Sequence, residues 1–462
     1  MRGALAVALL VLTAAAAPAP AANRVVPVFG GEPPPAPAGD LVLPLLFGPF
    51  LAGDEVVFAE RRADAVAVVA DGPAGKRDLD ASTAIDRTLE PLSVDLDVAE
   101  GRVALNTYRF TCNRDPACEK FRARTPDDHR TLVGPVSGPL ARLSSTCGLS
   151  RADVAATAFI GPCHLRNNAL ELHEEGAPSR EVAGDLASTP QVAGDFVART
   201  ILGPNVIPVG IEVLRRPALD PVYRVDAPVS EWELAPDGSV VYGLFETAKI
   251  GWSSPADPAV HLLDVPGWAI RIAGAAERIA VMLEPAFGGI ARSKRLLVVD
   301  RAGAIRADHT EAAPIAGIAF DGARLAWARQ PCSRQSIAVW DLSEPAPDLP
   351  GADCTMPDPG AGAVRLGRDR RATVTLTCPA TAPTGCAVVA SLSAYLRRRP
   401  SDRRRLRGSA AESFDLLPGG AKTIAVRVKR NGLRRFRSGQ LRIEITLRRE
   451  RDLTVRRPLR LR

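Results

Sequence analysis

The side chains able to do chemistry are few and scattered. Five histidines occur in 462 residues: His129, His164, His173, His261 and His309. His164 and His173 stand nine positions apart. On one strand that spacing puts them on opposite faces, whereas metal ligation needs convergence. Asp78-Leu79-Asp80 and Asp95-Leu96-Asp97 begin like calcium loops, but neither has the Gly at position six or the Glu at position twelve that such a loop needs. There is no Gly-x-Ser-x-Gly elbow, no His-Glu-x-x-His pair and no phosphate-cradling Gly-rich loop. No catalytic residue, metal site or cofactor follows from these patterns. Glycoside hydrolysis needs only two carboxylates about 5–10 Å apart, and these can come from distant parts of a chain, so spacing alone does not decide that case. The longest stretch without a strand-like pattern, residues 112–142, holds Asp115, Asp127, Asp128 and His129. Functional residues concentrate on such loops, and these four are the candidate binding loop.

The elements that must position these residues are strands. A short phrase recurs in which a polar turn with Gly or Asp is followed at once by a β-prone run. It reads Gly53-Asp54-Glu55-Val56-Val57-Phe58, Glu100-Gly101-Arg102-Val103-Ala104-Leu105, Gly194-Asp195-Phe196-Val197-Ala198, Asp237-Gly238-Ser239-Val240-Val241-Tyr242 and Asp321-Gly322-Ala323-Arg324-Leu325-Ala326-Trp327, with a degenerate copy at Ala275-Ala276-Glu277-Arg278-Ile279-Ala280. Anchored at Asp54, Gly101, Gly194, Gly238, Arg278 and Gly322, the steps are 47, 93, 44, 40 and 44 residues. Steps of roughly 40–50 residues are those of four-stranded propeller blades. The doubled step predicts a hidden unit, for which residues 152–160 and 168–173 are the candidates. Seven units are therefore expected between residues 45 and 360. Second apolar runs at residues 65–71, 260–264, 296–300 and 337–341 each end in Asp and show weak alternation, as expected for strands buried on both faces. Residues 23–29 are β-prone, precede the Pro-rich residues 32–38, and are placed to close the ring against the last blade.

The copies Ala235-Pro236-Asp237-Gly238 and Phe320-Asp321-Gly322, with the pair Trp340-Asp341, make residues 45–360 resemble WD40-like propellers of the secreted, Tol-associated kind. That resemblance implies a β-propeller architecture. The family hosts binding scaffolds and some hydrolases, so no catalytic residue is carried over.

Residues 1–22 read as a secretory signal peptide. Arg2 gives the positive start, residues 4–17 are almost wholly apolar, and Ala19-Pro20-Ala21 offers a small-x-small site with cleavage expected near Ala21 or Ala22. That apolar stretch is too short to span a bilayer, and residues 41–52 are interrupted by Pro44 and Pro49. No transmembrane segment is expected. Eight cysteines fall into neighbours: Cys112 with Cys118, Cys147 with Cys163, Cys332 with Cys354, and Cys378 with Cys386. Many pairings are formally possible. The local pairing keeps each bridge within one blade or domain, and would contribute about 2–3.5 kcal/mol apiece. Zinc is the alternative, but the spacings are loose and no His lies close by.

Beyond residue 360 the pattern changes. Residues 372–378, 386–392, 423–428 and 441–447 read as strands, with a turn at Leu416-Leu417-Pro418-Gly419-Gly420. This suits a small immunoglobulin-like β-sandwich over residues 362–462. It resembles the C-terminal domains of actinobacterial exported proteins, in which a Cys-Pro strand, here Cys378-Pro379, is tied to a nearby Cys, here Cys386. The fold class expected is all-β: a seven-bladed propeller followed by that sandwich.

Charge divides along the same line. Residues 362–462 hold 26 Lys plus Arg against 7 Asp plus Glu, a net of +19. Subtracting this from the whole-chain +7 leaves −12 for residues 1–361. Arg397, Arg398, Arg399, Arg403, Arg404 and Arg405 are the candidate polyanion contacts. A field of that sign favours anionic partners. Nucleic acid is disfavoured, because only Tyr395, Phe414 and Phe436 could stack on bases in that domain. The expectation is a monomeric, non-catalytic extracytoplasmic binding or scaffold protein, whose partners are another protein or an anionic envelope polymer. The alternative is a secreted hydrolase of glycans or peptides with its site at the propeller funnel.

Overall fold

A computed structural model describes residues 23–28, 46–62, 65–84, 92–109, 129–143, 153–163, 169–182, 189–203, 208–245, 247–275, 277–284, 294–311, 313, 315–329, 335–349, 356–360, 364–367, 371–382, 386–397, 403–408, 412–416, 419–427, 441–448 and 453–461. The regular elements among them are all strands. The residues 1–22 read as a signal peptide lie outside this set.

The chain starts with β1 (Arg24–Pro27). Blade 1 is β2 (Leu46–Ala52), β3 (Glu55–Arg61), β4 (Ala65–Gly72) and β5 (Gly75–Ala84). Blade 2 is β6 (Leu92–Ala99), β7 (Arg102–Arg109), β8 (His129–Pro135) and β9 (Ala141–Arg142). Blade 3 is β10 (Asp153–Val154), β11 (Ala158–Cys163), β12 (Ala169–Glu174) and β13 (Arg180–Val182). Blade 4 is β14 (Pro190–Ala193), β15 (Phe196–Leu202), β16 (Pro208–Arg215) and β17 (Asp220–Val225). Blade 5 is β18 (Val229–Leu234), β19 (Val240–Leu244), β20 (Lys249–Ser253) and β21 (His261–Asp264). Blade 6 is β22 (Trp268–Ala275), β23 (Arg278–Glu284), β24 (Lys294–Asp300) and β25 (Ile305–Glu311). Blade 7 is β26 (Ile315–Phe320), β27 (Arg324–Arg329) and β28 (Ser336–Asp341), completed by β1. The chain thus folds as a seven-bladed β-propeller, and the doubled step in the repeat is blade 3.

The first strand of each blade lies innermost. β2, β6, β10, β14, β18, β22 and β26 touch in succession, and β26 returns to β2. The recurring phrase is the turn from this innermost strand into the second. Gly238 has φ 81°, and a Cβ there would meet Phe196 and Pro255 at 2.8 Å. Asp237 Oδ1 accepts from Ser239 N at 2.9 Å, and Asp321 Oδ1 from Arg324 N at 2.6 Å. Gly supplies the left-handed backbone and Asp satisfies the amides that the turn exposes. One detail differs from the sequence pattern: of the four Asp-terminated runs, three end the third strand of their blades, while residues 260–264 supply the fourth strand of blade 5.

The second and third strands are apolar on both faces because each face meets a different blade. Along β3, Val57 and Ala59 pack with Leu96, Val103 and Leu105 of blade 2. Val56 and Phe58 pack with Val26, Ala326 and Ile337 of blade 7. Each fully buried aliphatic or aromatic side chain contributes about 1.5–3 kcal/mol. Among the described residues, the buried cluster between blades 2 and 3 is small, holding Ala104, Val133, Val154 and Phe159.

Ring closure is antiparallel: Arg24 faces Val339, Val26 faces Ile337 and Pro27 faces Ser336. Asn23 clamps the end by donating to Pro345 O at 2.7 Å and accepting from Asp341 N at 3.0 Å. Arg24 continues into blade 1, with Nη1 3.3 Å from Asp71 Oδ1.

At the joint between blades 6 and 7, Glu311 is 2 % exposed and accepts from Arg329 Nε at 2.7 Å, Trp327 Nε1 at 3.0 Å and Ala313 N at 2.9 Å. Burial works to raise this carboxyl, and the Arg329, Ala313 and Trp327 hydrogen bonds outweigh it and hold it below the usual carboxylate range.

The remaining strands are β29 (Val364–Leu366), β30 (Arg371–Thr377), β31 (Cys386–Arg397), β32 (Arg403–Gly408), β33 (Glu412–Leu416), β34 (Ala421–Arg427), β35 (Leu441–Arg448) and β36 (Leu453–Leu461). They run in the order β32-β31-β35-β36-β29-β30-β34, with β33 also on β31 and β29 parallel to β36. No strand of the seven blades comes from this region. Ala372, Val374 and Leu376 alternate inward along β30. Cys378 and Cys386 are joined by a disulfide beside Leu416 and Ala382.

Glu311→Ala leaves the Arg329 guanidinium, 2 % exposed, without its carboxylate. The expected loss is about 3–5 kcal/mol, read as a lower denaturation midpoint.

Candidate functional site

The innermost strands bring polar side chains from different blades to one place. Asp97 on β6 accepts from Val154 N of blade 3 at 2.7 Å. Asp153 on β10 accepts from Val192 N of blade 4 at 2.6 Å. Gln191 on β14 accepts from Leu234 N at 2.7 Å and donates to Trp232 O at 3.0 Å, both of blade 5. Glu233 on β18 accepts from Gly274 N of blade 6. Each side chain therefore reaches the main chain of the next blade, always in the same rotational sense. Glu100, with φ 48° at the blade 2 turn, does the same at the rim. One of its carboxylate oxygens takes Ala156 N at 3.0 Å and the other Gly194 N at 2.5 Å.

The electrostatic outcome is a set of carboxyl groups that hold protons. Burial pushes Asp97 up to about 7, reinforced by Asp95 and opposed by the Val154 amide. Burial pushes Glu233 up to about 8, reinforced by Asp97. Asp153 is raised well above the carboxylate range by burial, then by Asp97, Glu233 and Asp95. Like charges in one desolvated place cannot all ionise. Beside them Glu231 is paired with Arg271 at 2.5 Å. Among the described residues no three His, Cys, Asp or Glu side chains are arranged to hold a metal ion.

A groove of about 470 Å³ lies at the joint of blades 2 and 3, lined by Arg102, Phe159, His173, Glu174 and Glu175 among others. His173 stacks on Phe159 with centroids 4.5 Å apart, and its Nε2 lies 3.2 Å from Glu171 Oε2. Burial pushes the imidazole below its usual range against the pull of Glu171. The cations at the rim are already engaged: Arg102 with Ala156 O at 2.9 Å and Glu175 at 3.4 Å, and Arg180 with Glu174 at 2.7 Å.

Of the sequence-derived candidates, Asp115, Asp127 and Asp128 lie outside the described residues. His129 opens β8, opposite Tyr108. Cys112, Cys118, Cys147, Cys332 and Cys354 also lie outside, and Cys163 ends β11. Arg397 ends β31 opposite Arg403, Arg404 faces Leu396 and Arg405 faces Tyr395, while Arg398 and Arg399 lie outside the described residues. The two Asp-x-Asp pairs sit in strands β5 and β6 rather than in loops. Asp78 is held by both Arg62 Nη atoms at 2.7 Å. Asp97 belongs to the channel, a role its spacing did not reveal. The visible signal was a polar residue three to five positions before the turn glycine, at Asp97, Gln191 and Glu233, inside otherwise apolar runs.

No family model matches the chain, and no curated protein matches it. Solved structures do. The β-propeller domain of Cps50 (Swd1) from Myceliophteria thermophila is 10% identical, with 63% of this chain and 98% of that one covered and a TM-score of 0.41. Virginiamycin B lyase from Staphylococcus aureus is 12% identical, covering 64% and 94%, with a TM-score of 0.41. BamB from Moraxella catarrhalis is 9% identical, covering 64% and 96%, with a TM-score of 0.37. At these identities the likeness is one of fold alone.

Carboxyl groups whose pKa is raised on folding stabilise the native state below their unfolded pKa, near 4, and lose that contribution as pH rises through their folded values. For Asp97 and Glu233 those are about 7 and about 8. Thermal stability should therefore fall between roughly pH 4 and 8 on account of these groups. Glu233→Gln retains an acceptor for Gly274 N but cannot ionise. It should match the parent at pH 5 and melt higher at pH 9, as followed by calorimetry across that range.

Proposed function

We propose that this chain is a non-catalytic, extracytoplasmic binding or scaffold protein of the secreted, Tol-associated kind of WD40-like propeller. Its ring presents a partner surface, and its basic C-terminal domain, an immunoglobulin-like sandwich, contacts anionic envelope polymers. The observation that carries this is the fate of the convergent carboxyl groups. Asp97, Asp153 and Glu233 each spend an oxygen on the next blade's main-chain amide. All three shift toward the protonated form. A retaining or inverting glycosidase needs one protonated acid beside one ionised carboxylate. In the channel the protonated acids are tied to main-chain amides of the next blade, and their ionised neighbour Glu231 is taken up by Arg271. The polar centre acts as a structural hub, which leaves blade edges and faces for partners.

The convergence itself favours a second reading, a hydrolase at the funnel. That reading gains if Asp97→Asn or Asp153→Asn abolishes release of reducing sugar from wall glycan, and falls if the parent releases none.

The absence of any C-terminal strand from the seven blades makes residues 1–361 a sensible truncation. Bound to isolated envelope and eluted with a salt gradient, the full chain should leave only at high ionic strength. The truncated chain should wash off at low salt. Equal retention of the two would remove the anchoring role of residues 362–462.

A further inference from the structure

The arginines of the C-terminal domain are ordered by strand register as well as by runs in the sequence. Tyr395 on β31 lies opposite Arg405 on β32 and opposite Arg442 on β35. Arg397 lies opposite Arg403. Ser393 lies opposite Glu444, and Glu444 opposite Arg456 on β36. Residues directly opposite one another, and those two apart along a strand, share a sheet face. Arg397, Arg403, Arg405, Arg442, Arg448, Arg456 and Arg460 therefore occupy one face. The other face is fixed as the core side by two buried residues, Cys386 on β31 and Ile445 on β35, both 0 % exposed and at the alternate positions.

Over β31, β32, β35 and β36 the basic residues are all Arg, with no Lys, and Glu444 is the one acidic residue. A charged edge strand is a common guard against edge-to-edge pairing, and that accounts for β32. It does not account for Arg442 and Arg456, which lie on strands paired at both sides. Like charges directly opposite, as at Arg397 and Arg403, destabilise a free sheet, so this arrangement costs stability until an anion neutralises it.

We infer that this face is the contact surface for an anionic polymer built on phosphodiester links, lying across the strands. The inference rests on the anchoring role proposed above and names the residues and the ligand class. Strands are about 4.8 Å apart and alternate residues about 6.7 Å apart, so the seven arginines form a two-dimensional array that a single small anion cannot fill and a chain of phosphates can. Guanidinium groups grip phosphate oxygens through two parallel N–H donors, which an ammonium cannot do. Tyr395 is the one aromatic on this face among the described residues, too few for stacking a series of bases. A polymer without bases fits better than nucleic acid.

The test uses the full chain and poly(glycerol phosphate) as probe, with binding measured at several salt concentrations. Arg405→Glu with Arg442→Glu should weaken binding at least tenfold and flatten the log–log salt slope by roughly 1.5–2. A charge-matched control off this face, Lys422→Glu opposite the buried Leu376 with Arg224→Glu on β17 of the ring, should stay within about twofold if the face is specific. Arg405→Lys with Arg442→Lys should lose several-fold at unchanged net charge, because the paired donors are gone. Should the Glu variant lose its far-UV strand signal, Arg442→Gln alone provides the same comparison. Equal loss in face and control variants would overturn the face in favour of diffuse attraction. Tighter binding to duplex DNA, to polyglutamate or to anionic vesicles than to the probe would overturn the ligand class. If the parent ignores the probe yet remains salt-eluted from envelope, the ligand class fails while anchoring stands. If it ignores both, anchoring fails as well.

Discussion

Everything in the ring depends on the need to bury both faces of every blade. An apolar strand such as β3 sends alternate side chains into two different neighbours, so each blade is stable only between two others. In an open row the terminal blades would each expose one such face. Closing the row removes both exposures, and the molecule does this with a strand taken from the start of the chain. β1 completes the last blade, while Val26 and Val28 enter the cluster shared by blades 7 and 1. Asn23 and Arg24 add polar links on either side of the same seam. One four-residue strand thus joins the chain's two ends of the ring, and loop-closure entropy is met once for all seven blades.

Closing a ring of innermost strands creates a second problem at the centre. Their main-chain amides point around the channel, and an unpaired buried amide costs about 1–3 kcal/mol. Asp97, Asp153, Gln191 and Glu233 solve this by reaching forward one blade each. The solution crowds carboxyl groups, and the crowding is relieved by protonation. Gln191 stands within the same series as a neutral member that makes both an accepting and a donating bond. Structure and electrostatics are thus two consequences of one choice of acceptor.

How much of this could be read from residues alone follows from the physics of each feature. The blade repeat was legible because its signal is local: a left-handed Gly and an Asp that bonds its own turn must stand side by side. Blade 3 was visible only as a doubled step, because its corresponding turn reads Ala155-Ala156-Thr157 without a Gly. The channel hub was not legible, since its members are 38 to 56 residues apart and meet only through ring geometry. Asp97 was in view as part of an Asp-x-Asp pair and looked like a fragment of a calcium loop. Over residues 362–462 the contiguous arginine runs point to Arg397–Arg399 and Arg403–Arg405. Arg442 and Arg456 stand singly within apolar strands, and their kinship with the runs appears only when register is known.

Register also bears on how the two parts of opposite formal charge coexist. A ring of −12 beside a domain of +19 would be expected to mask the basic sheet by simple attraction. Part of that formal charge is not expressed. The channel carboxyls are held toward their neutral forms. Formal counting therefore overstates the field that the ring projects. Beyond a Debye length, about 8 Å at physiological ionic strength, little of that field reaches a neighbouring domain. Protonated channel acids and ionic screening both limit how far the ring's net negative charge offsets the arginines of residues 362–462.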